Sequence, residues 1–386
     1  MNKINILAFI TNNGVSYHRI QKPLKKLEQL YGNEFSVVYV NPITVKLEDL
    51  PDLRFNKFDF IHFNTIIGLK DDSKVLPYLE ACLLKGAKII LDIDDHFDFG
   101  RSVLVRKEIA DRYSENIPEA ISASDYITTT TESYKNILLK LNKNVTVFPN
   151  FVDKDDPQYL SNKAPNKLNK NGEKIIRVGL TGSVMHKFDV RVLYGLSLLL
   201  KKKGFLNRVQ FVLCGFHTNK YCQDYEKILT SDYRIVSREY RHKLEDLSIL
   251  NIEFNGEPYK RVGWLSIDEY MRVYNEIDIL LAPLEDTKFN EAKSQIKYLE
   301  AGWMNTLFIG SDVPSYNQFV ENGVNGYLCK TSNEFLDAII YAIENWDGHI
   351  KSVIAKAKID VETNYESHYI TKKKRDYFHK IIQINK

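Results

Sequence analysis

The residues best placed to do chemistry lie in LLAPLEDTKFNEAKSQIKYLEAGW, Leu280 to Trp303. The stretch reads as a buried strand broken at Pro283, a polar loop, and a short helix over 294–301. Ser294 is a good N-cap for that helix, and Gly302 is its stop. Lys293 stands just before the helix and Lys297 falls in its first turn. A helix N-terminus carries a partial positive charge, so a cation there costs about 0.3–1 kcal/mol. Two lysines make sense there if an anion docks, because backbone N–H groups, dipole and ammonium groups then converge on it. A diphosphate fits. Lys293, Lys297 and Glu300 are spaced i, i+4 and i+7, on one helix face, which leaves Glu300 to accept hydrogen bonds from a sugar hydroxyl such as a ribose. The structural alternative is a solvated face with a Lys–Glu pair.

Three other stretches end buried strands in chemically able residues. VGLTGSVMHKFDV ends in Thr181-Gly182-Ser183, where Gly182 lets a backbone approach a phosphate, and His186 and Lys187 follow. It is not a complete dinucleotide fingerprint. TNNGVSYHR, 11–19, is the equivalent loop after the first strand, and Gly14, His18 and Arg19 can line the opposite wall of a cleft. LDIDDHFDF, 91–99, gathers Asp92, Asp94, Asp95, His96 and Asp98. An Asp-x-Asp pattern can hold a divalent cation that bridges phosphates. Carboxylates past a strand can instead orient or deprotonate an acceptor hydroxyl. The acceptor-side reading is preferred, with Asp94, Asp95 and His96 catalytic and no metal. For each loop the bland alternative is an ordinary strand–helix turn.

These loops need a scaffold, and 386 residues suffice for two domains. Hydrophobic residues make up 44% of the chain and aromatics 12%, enough for full globular cores. The 53 Lys+Arg nearly balance 50 Asp+Glu, so the net +3 tolerates an anionic partner without requiring nucleic acid. Cys82, Cys214, Cys222 and Cys329 show no zinc or redox spacing, which suits reduced thiols and a cytoplasmic location. The first apolar run is too short for a signal peptide, and no run approaches the length of a membrane span. The lysines around Lys22–Lys26 and Lys201–Lys203 suit either an anionic membrane or phosphate surface, or a plain solvated face.

In the first half, apolar runs at 4–10, 35–40, 58–64, 87–94, 125–131 and 145–150 alternate with amphipathic stretches such as SKVLPYLEACLLKG. That alternation predicts a doubly wound α/β sheet. The polar stretch 153–174 reads as a linker. The alternation then restarts with apolar runs at 175–183, 209–215, 277–284, 306–311 and 326–330. The predicted division is 1–155 as the first domain, 156–174 as linker and 175–368 as the second domain. An insertion occupies about 216–262, with room for one or two helices and a strand. Two such halves place a ligand in the cleft between them.

Several segments together resemble the GT-B glycosyltransferases, most nearly family 4, the group 1 transferases. VTVFPNFVD resembles the strand and Pro-Asn turn that close their first domain, and VGLTGSVMHKFDV the strand and Gly loop that open their second. IDILLAPLEDTKFNEAKSQIKYLEAGW with SDVPSYNQFVENGVNGYLC resembles their donor-binding segment. The resemblance implies two Rossmann-like domains facing a central cleft, with the first binding the acceptor and the second a nucleotide sugar such as a UDP- or GDP-sugar. It implies retention at the anomeric carbon, no resident cofactor or metal, and a last helix, about 369–386, that packs back on the first domain. Donor-site roles fall on Gly182, Ser183, His186, Asn290, Lys293, Ser294, Lys297 and Glu300, with Glu300 on the ribose. Lys293 and Lys297 also serve catalysis, by stabilising the leaving diphosphate.

The family's Glu–seven residues–Glu motif needs a glutamate at 292, where this chain has Ala292; Asn290, Glu291 or Lys293 takes over that contact. The acceptor is left open between a glycan, a lipid-linked sugar, a protein, a small metabolite and a modified DNA base, with peripheral membrane contact compatible and the oligomeric state unassigned. Two other readings keep the fold: an accessory binding protein without catalysis, and a nucleotide-sugar epimerase.

Overall fold

The apolar runs form two separate sheets. In this computed structural model the described residues are 3–11, 13–41, 44, 57–64, 82–98, 107–163, 165–182, 188–216, 229, 251–253, 259–263 and 265–384. The first sheet is built from β1 (Ile4–Phe9), β2 (Phe35–Val40), β3 (Phe60–Asn64), β4 (Lys88–Asp92), β5 (Tyr126–Thr129) and β6 (Val145–Val147). Its order is β2-β1-β3-β4-β5-β6, and every pairing is parallel. Such sheets are covered on both faces, which is why their strands read as continuous apolar runs.

The second sheet contains β7 (Ile176–Thr181), β8 (Val209–Phe216), β9 (Asn251–Glu253), β10 (Tyr259–Gly263), β11 (Ile279–Ala282), β12 (Leu307–Ser311) and β13 (Tyr327–Cys329). The order is β13-β12-β11-β7-β8-β10-β9, parallel except for the β9–β10 pair. The strand order reverses between β7 and β11. Doubly wound sheets bind ligands in the crevice outside the strand ends at such a point, and both loops singled out above, after Thr181 and after Ala282, open there. Part of the expected 216–262 insertion is sheet, because β10 pairs in parallel with β8; residues 217–228 and 230–250 lie outside the described residues. So do most of the amphipathic stretch SKVLPYLEACLLKG, and Ser183, His186 and Lys187.

The linker expectation needs correcting. Residues after 156 are fastened to the second domain: Lys163 Nζ donates to the Ile277 and Asn305 carbonyls and to Thr306 Oγ1, each at 2.7 Å. Trp303 Nε1 donates to the Tyr159 carbonyl at 2.9 Å, and Asn166 Nδ2 donates to Asp278 Oδ2. The crossing is shorter, centred on 148–156, and a second crossing runs beside it, where the Val152 N–H donates to the Tyr365 carbonyl at 3.0 Å. The helix Ser367–Ile384 then returns to the first domain. Its Phe378 and Ile381 join the cluster of Ile6, Leu24, Leu27, Phe35, Phe60 and Ile90, with the Phe378 ring 5.8 Å from Phe35 and 5.5 Å from Phe60.

The lysines considered for an anionic surface divide into buried and exposed ones. Lys22 and Lys26 are buried at the crossing. Lys22 Nζ donates to Tyr159 Oη at 2.5 Å, and Lys26 Nζ to Asp153 Oδ1 at 2.9 Å. Lys201 and Lys202 are exposed in the last turn of the helix Leu196–Lys202, where cations favour the dipole. No helix among the described residues is long and apolar enough to cross a membrane.

Because Phe378 is 1% exposed, Phe378→Ala should cost about 3–5 kcal/mol. Urea denaturation should show that loss in the first domain; a change below about 1 kcal/mol would mean the closing helix is not part of its core.

Candidate active site

The donor-side helix is held by close backbone approach. It runs Ile296–Trp303, later than expected, with Gln295 at its N-cap. Gly302 is inside the helix and does not end it. A Cβ there would stand 2.9 Å from Val361 Cγ2 and 3.0 Å from the Ala357 carbonyl oxygen, so glycine lets the helix Lys351–Asn364 press against it. The chain turns at Asn305, with φ 52°. Ser294 does not cap; its Oγ accepts from Asn150 Nδ2 of the first domain at 2.9 Å. No side chain caps the N-terminus; the amides of Tyr298 and Leu299 bond the Gln295 carbonyl, which leaves the Ile296 and Lys297 amides at the open end.

Lys297 and Glu300 pair in the first turn, Nζ to Oε2 3.1 Å. Lys297 Nζ also bonds Tyr270 Oη and lies 4.8 Å from the Tyr270 ring centroid. Glu300 is only 2% exposed, and its Oε2 accepts from Tyr274 Oη at 2.6 Å and Tyr270 Oη at 3.3 Å. Burial lowers the Lys297 pKa, but Glu300 and Tyr270 outweigh it and hold the ammonium charged above its ordinary range. Gly182 follows β7 with open space where a Cβ would be.

Lys293 precedes the helix and reaches the other domain. Its Nζ is 3.1 Å from Asp95 Oδ1 and 4.6 Å from the Phe289 ring centroid. The preceding Ala292 is fully buried and packs into the first domain's cluster of Leu91, Ile93, Ile117 and Tyr134. A glutamate at 292 would put a carboxylate into that apolar contact. Asn290 is not the substitute. It is 1% exposed, and its Nδ2 donates to Asp189 Oδ1 at 2.6 Å and the Glu285 carbonyl at 3.0 Å. Asn290 thereby ties the loop after β11 to the chain following the loop after β7, and does not present itself to a donor.

On the first-domain wall the candidates separate. Arg19 is not an acceptor ligand. It is 2% exposed and holds Asp92 bidentately, Nε to Oδ1 and Nη2 to Oδ2 both 2.8 Å. Its Nη1 donates to the Phe148 carbonyl at 2.7 Å and Asn150 Oδ1 at 3.1 Å. Asp92 also accepts from Thr128 Oγ1 at 2.6 Å, so it is consumed and cannot be one arm of an Asp-x-Asp metal site. His96 is likewise structural: Nδ1 accepts from the Asp98 amide at 2.9 Å, and the ring stacks on Phe97 and Tyr134 at 4.7 and 5.8 Å. Gly14 is exposed, and a Cβ on it would sit 3.8 Å from Ile267 of the second domain. That places it at the rim between the domains.

His18 and the acidic pair remain. Burial, then Lys22 and Lys297, push the His18 imidazole down to about 3, so it is neutral at ordinary pH. Burial, then Asp95 and Asp92, push Asp94 up to about 8 against Arg19 and Lys293. At neutral pH Asp94 therefore carries a proton, while its neighbour Asp95 faces Lys293 across the domain boundary. The sequence reading missed Tyr270, Tyr274, Asp189 and Asn150. The spacing of Tyr270 and Tyr274 just before β11 was the one available signal for the tyrosines, and it looked like core.

Two largely parallel sheets, the second with a crevice at the point where its strand order reverses, are the architecture of the GT-B class. Residues 198–345 match the family model "Glycosyl transferases group 1". A glycosyltransferase from Rickettsia africae is 13% identical over 99% of each chain, with TM-score 0.60. Anabaena HepE, solved with UDP and glucose, is 13% identical over 98% of this chain and 100% of its own, with TM-score 0.61. Sucrose-phosphate synthase from Thermosynechococcus elongatus is 12% identical over 99% and 100%, with TM-score 0.67. No curated protein matches the chain. The chain thus has the GT-B fold, and residues 198–345 of its second domain match the group 1 glycosyltransferase model.

Two measurements check these assignments. Arg19→Ala leaves Asp92 buried and unpaired, so it should cost about 3–5 kcal/mol of stability; a folded protein of unchanged melting temperature would return Arg19 to the acceptor wall. Asp94 holds its proton when folded. As pH rises from the ordinary carboxylate range through about 8, the unfolded chain has lost a proton that the folded one keeps, and stability falls across that window. Asp94→Asn should therefore raise the melting temperature more at about pH 9 than at about pH 5. Equal shifts at both would show that charge is not involved.

Proposed function

We propose that the protein transfers a sugar from a nucleotide-diphosphate sugar to an acceptor hydroxyl, with retention and without a resident metal. The observation that carries this reading is the convergence of Lys297, Glu300 and the uncapped start of the helix Ile296–Trp303 at the β7/β11 crevice. Lys293 stands at the domain boundary beside them. The solved complexes of HepE with UDP and with UDP-glucose, on the same fold, support a UDP-sugar; a GDP-sugar is the other candidate.

As the bond from the anomeric carbon to phosphate oxygen breaks, negative charge grows on the leaving diphosphate. Lys293, Lys297 and the helix amides meet that charge where it increases, which lowers the barrier as well as aiding binding. The anomeric carbon bonds the acceptor oxygen, whose proton needs a base. Asp95 is the group on the first-domain wall placed to take it; protonated Asp94 is not, and burial beside Lys22 and Lys297 makes His18 too weak a base. Lys293 begins paired with Asp95, so the diphosphate replaces a carboxylate, and Asp95 is released to the acceptor as the donor arrives. An acceptor carried by a glycan, a lipid-linked sugar or a modified DNA base is compatible with this wall.

Calorimetric titration with UDP and GDP tests the reading. One of them should bind, and Lys297→Ala and Glu300→Ala should each weaken it about tenfold or more, the scale of a charged hydrogen bond. Binding of neither would reject a nucleotide-sugar donor. Transfer should persist in EDTA; loss restored by magnesium or manganese would make the reaction metal-dependent. Donor incubated alone and recovered as an isomerised sugar would convert the assignment to an epimerase.

A further inference from the structure

The two charged donor residues are held by a pair of tyrosines. Three donors converge on one oxygen of Glu300: Tyr274 Oη at 2.6 Å, Lys297 Nζ at 3.1 Å and Tyr270 Oη at 3.3 Å, all on Oε2. Among the described residues no hydrogen bond reaches Oε1. Tyr274 is fully buried, and burial, with Glu300 beside it, raises its phenol well above the ordinary range, so it is a neutral, permanent donor.

Tyr270 works on the lysine. A hydroxyl has one proton and two lone pairs. The Lys297 ammonium donates to the Tyr270 oxygen, and the phenol proton is available to Glu300 Oε2 or to Thr181 Oγ1 at 3.2 Å. Of the three Lys297 protons, one goes to Tyr270 and one to Glu300 Oε2, which leaves one directed to a ligand. The rings brace each other at 6.3 Å and 87°.

We propose that Tyr274 and Tyr270 are positioning residues for donor recognition: Tyr274 turns Glu300 so that Oε1 alone faces the ribose hydroxyls, and Tyr270 holds Lys297 with one proton aimed at the diphosphate. The inference rests on the donor assignment above. It makes the site selective along two separate coordinates. A single free carboxylate oxygen discriminates a ribose from a 2′-deoxyribose by what its hydroxyls can donate. A lysine fixed at two points discriminates a diphosphate from a monophosphate.

The experiment measures affinity ratios on the whole protein, using UDP, UMP and 2′-deoxy-UDP, or the guanine set if GDP binds tighter. Wild type should prefer the ribonucleotide and the diphosphate. Tyr274→Phe, which keeps the ring packing, should reduce the ribo-over-deoxy preference at least threefold with the UDP-over-UMP ratio little changed. Tyr270→Phe should do the reverse. Ratios cancel a general loss of stability, which a merely structural role would produce. Glu300→Gln, of nearly the same volume, should abolish the sugar preference as Tyr274→Phe does, and supplies that arm if Tyr274→Phe folds poorly. Wild-type preferences kept in both tyrosine variants would overturn the inference while leaving the donor site standing. No nucleotide binding by wild type would overturn the donor reading and this inference together.

Discussion

The pairing of Arg19 with Asp92 is the constraint on which the geometry of the cleft depends. A guanidinium and a carboxylate removed from water are stabilising only when every lone pair and proton finds a partner. Here they find them in the Phe148 carbonyl, Thr128, Thr129 and Asn150. That requirement fixes the first helical turn, the ends of β4 and β5 and the start of the crossing relative to one another. It reaches further, because Asn150 turns its other amide edge to Ser294. The orientation of one buried ion pair is thus passed in two hydrogen bonds from the first domain to the loop that begins the donor helix.

The second domain uses the same economy. Asp189 receives both the Glu285 amide and the Asn290 side chain, and Arg177 holds Asp278 bidentately with 3.0 and 2.8 Å contacts. The first pair of contacts ties the loop after β11 to the chain at Asp189, and the second joins the beginnings of β7 and β11. The helix Ile296–Trp303 keeps its place because Gly302 allows the helix Lys351–Asn364 within backbone distance. Charged groups buried behind the cleft keep their positions, and Lys293 and Asp95 pair across its edge.

Much of this architecture was legible. Continuous apolar runs such as INILAF and FIHFN announce strands covered on both faces, and the spacing of Lys297 and Glu300 announces the pair that the fold forms in the first turn of one helix. What the sequence did not reveal were partners distant along the chain. Arg19 looks like a ligand because its loop follows a strand, and only the fold shows Asp92 waiting for it 73 positions later. His96 looks catalytic within an acidic run, yet its ring is stacked and its Nδ1 is spent on the loop. Ser294 resembles a cap and is a bridge to Asn150. The polar stretch after 156 resembles a free tether because Lys163 gives no sign that three acceptors in the second domain are within its reach.

Ala292 has a wider consequence. A methyl group occupies the point where the donor loop meets the hydrophobic cluster of the first domain. Its bulk acts as a spacer, setting the least distance to which the two walls can approach. A longer acidic side chain at this point would carry its charge into the apolar contact, whereas alanine makes the contact a mechanical stop. The width of the reaction chamber would then follow the volume of this one side chain, separately from any hydrogen bonding to the sugar.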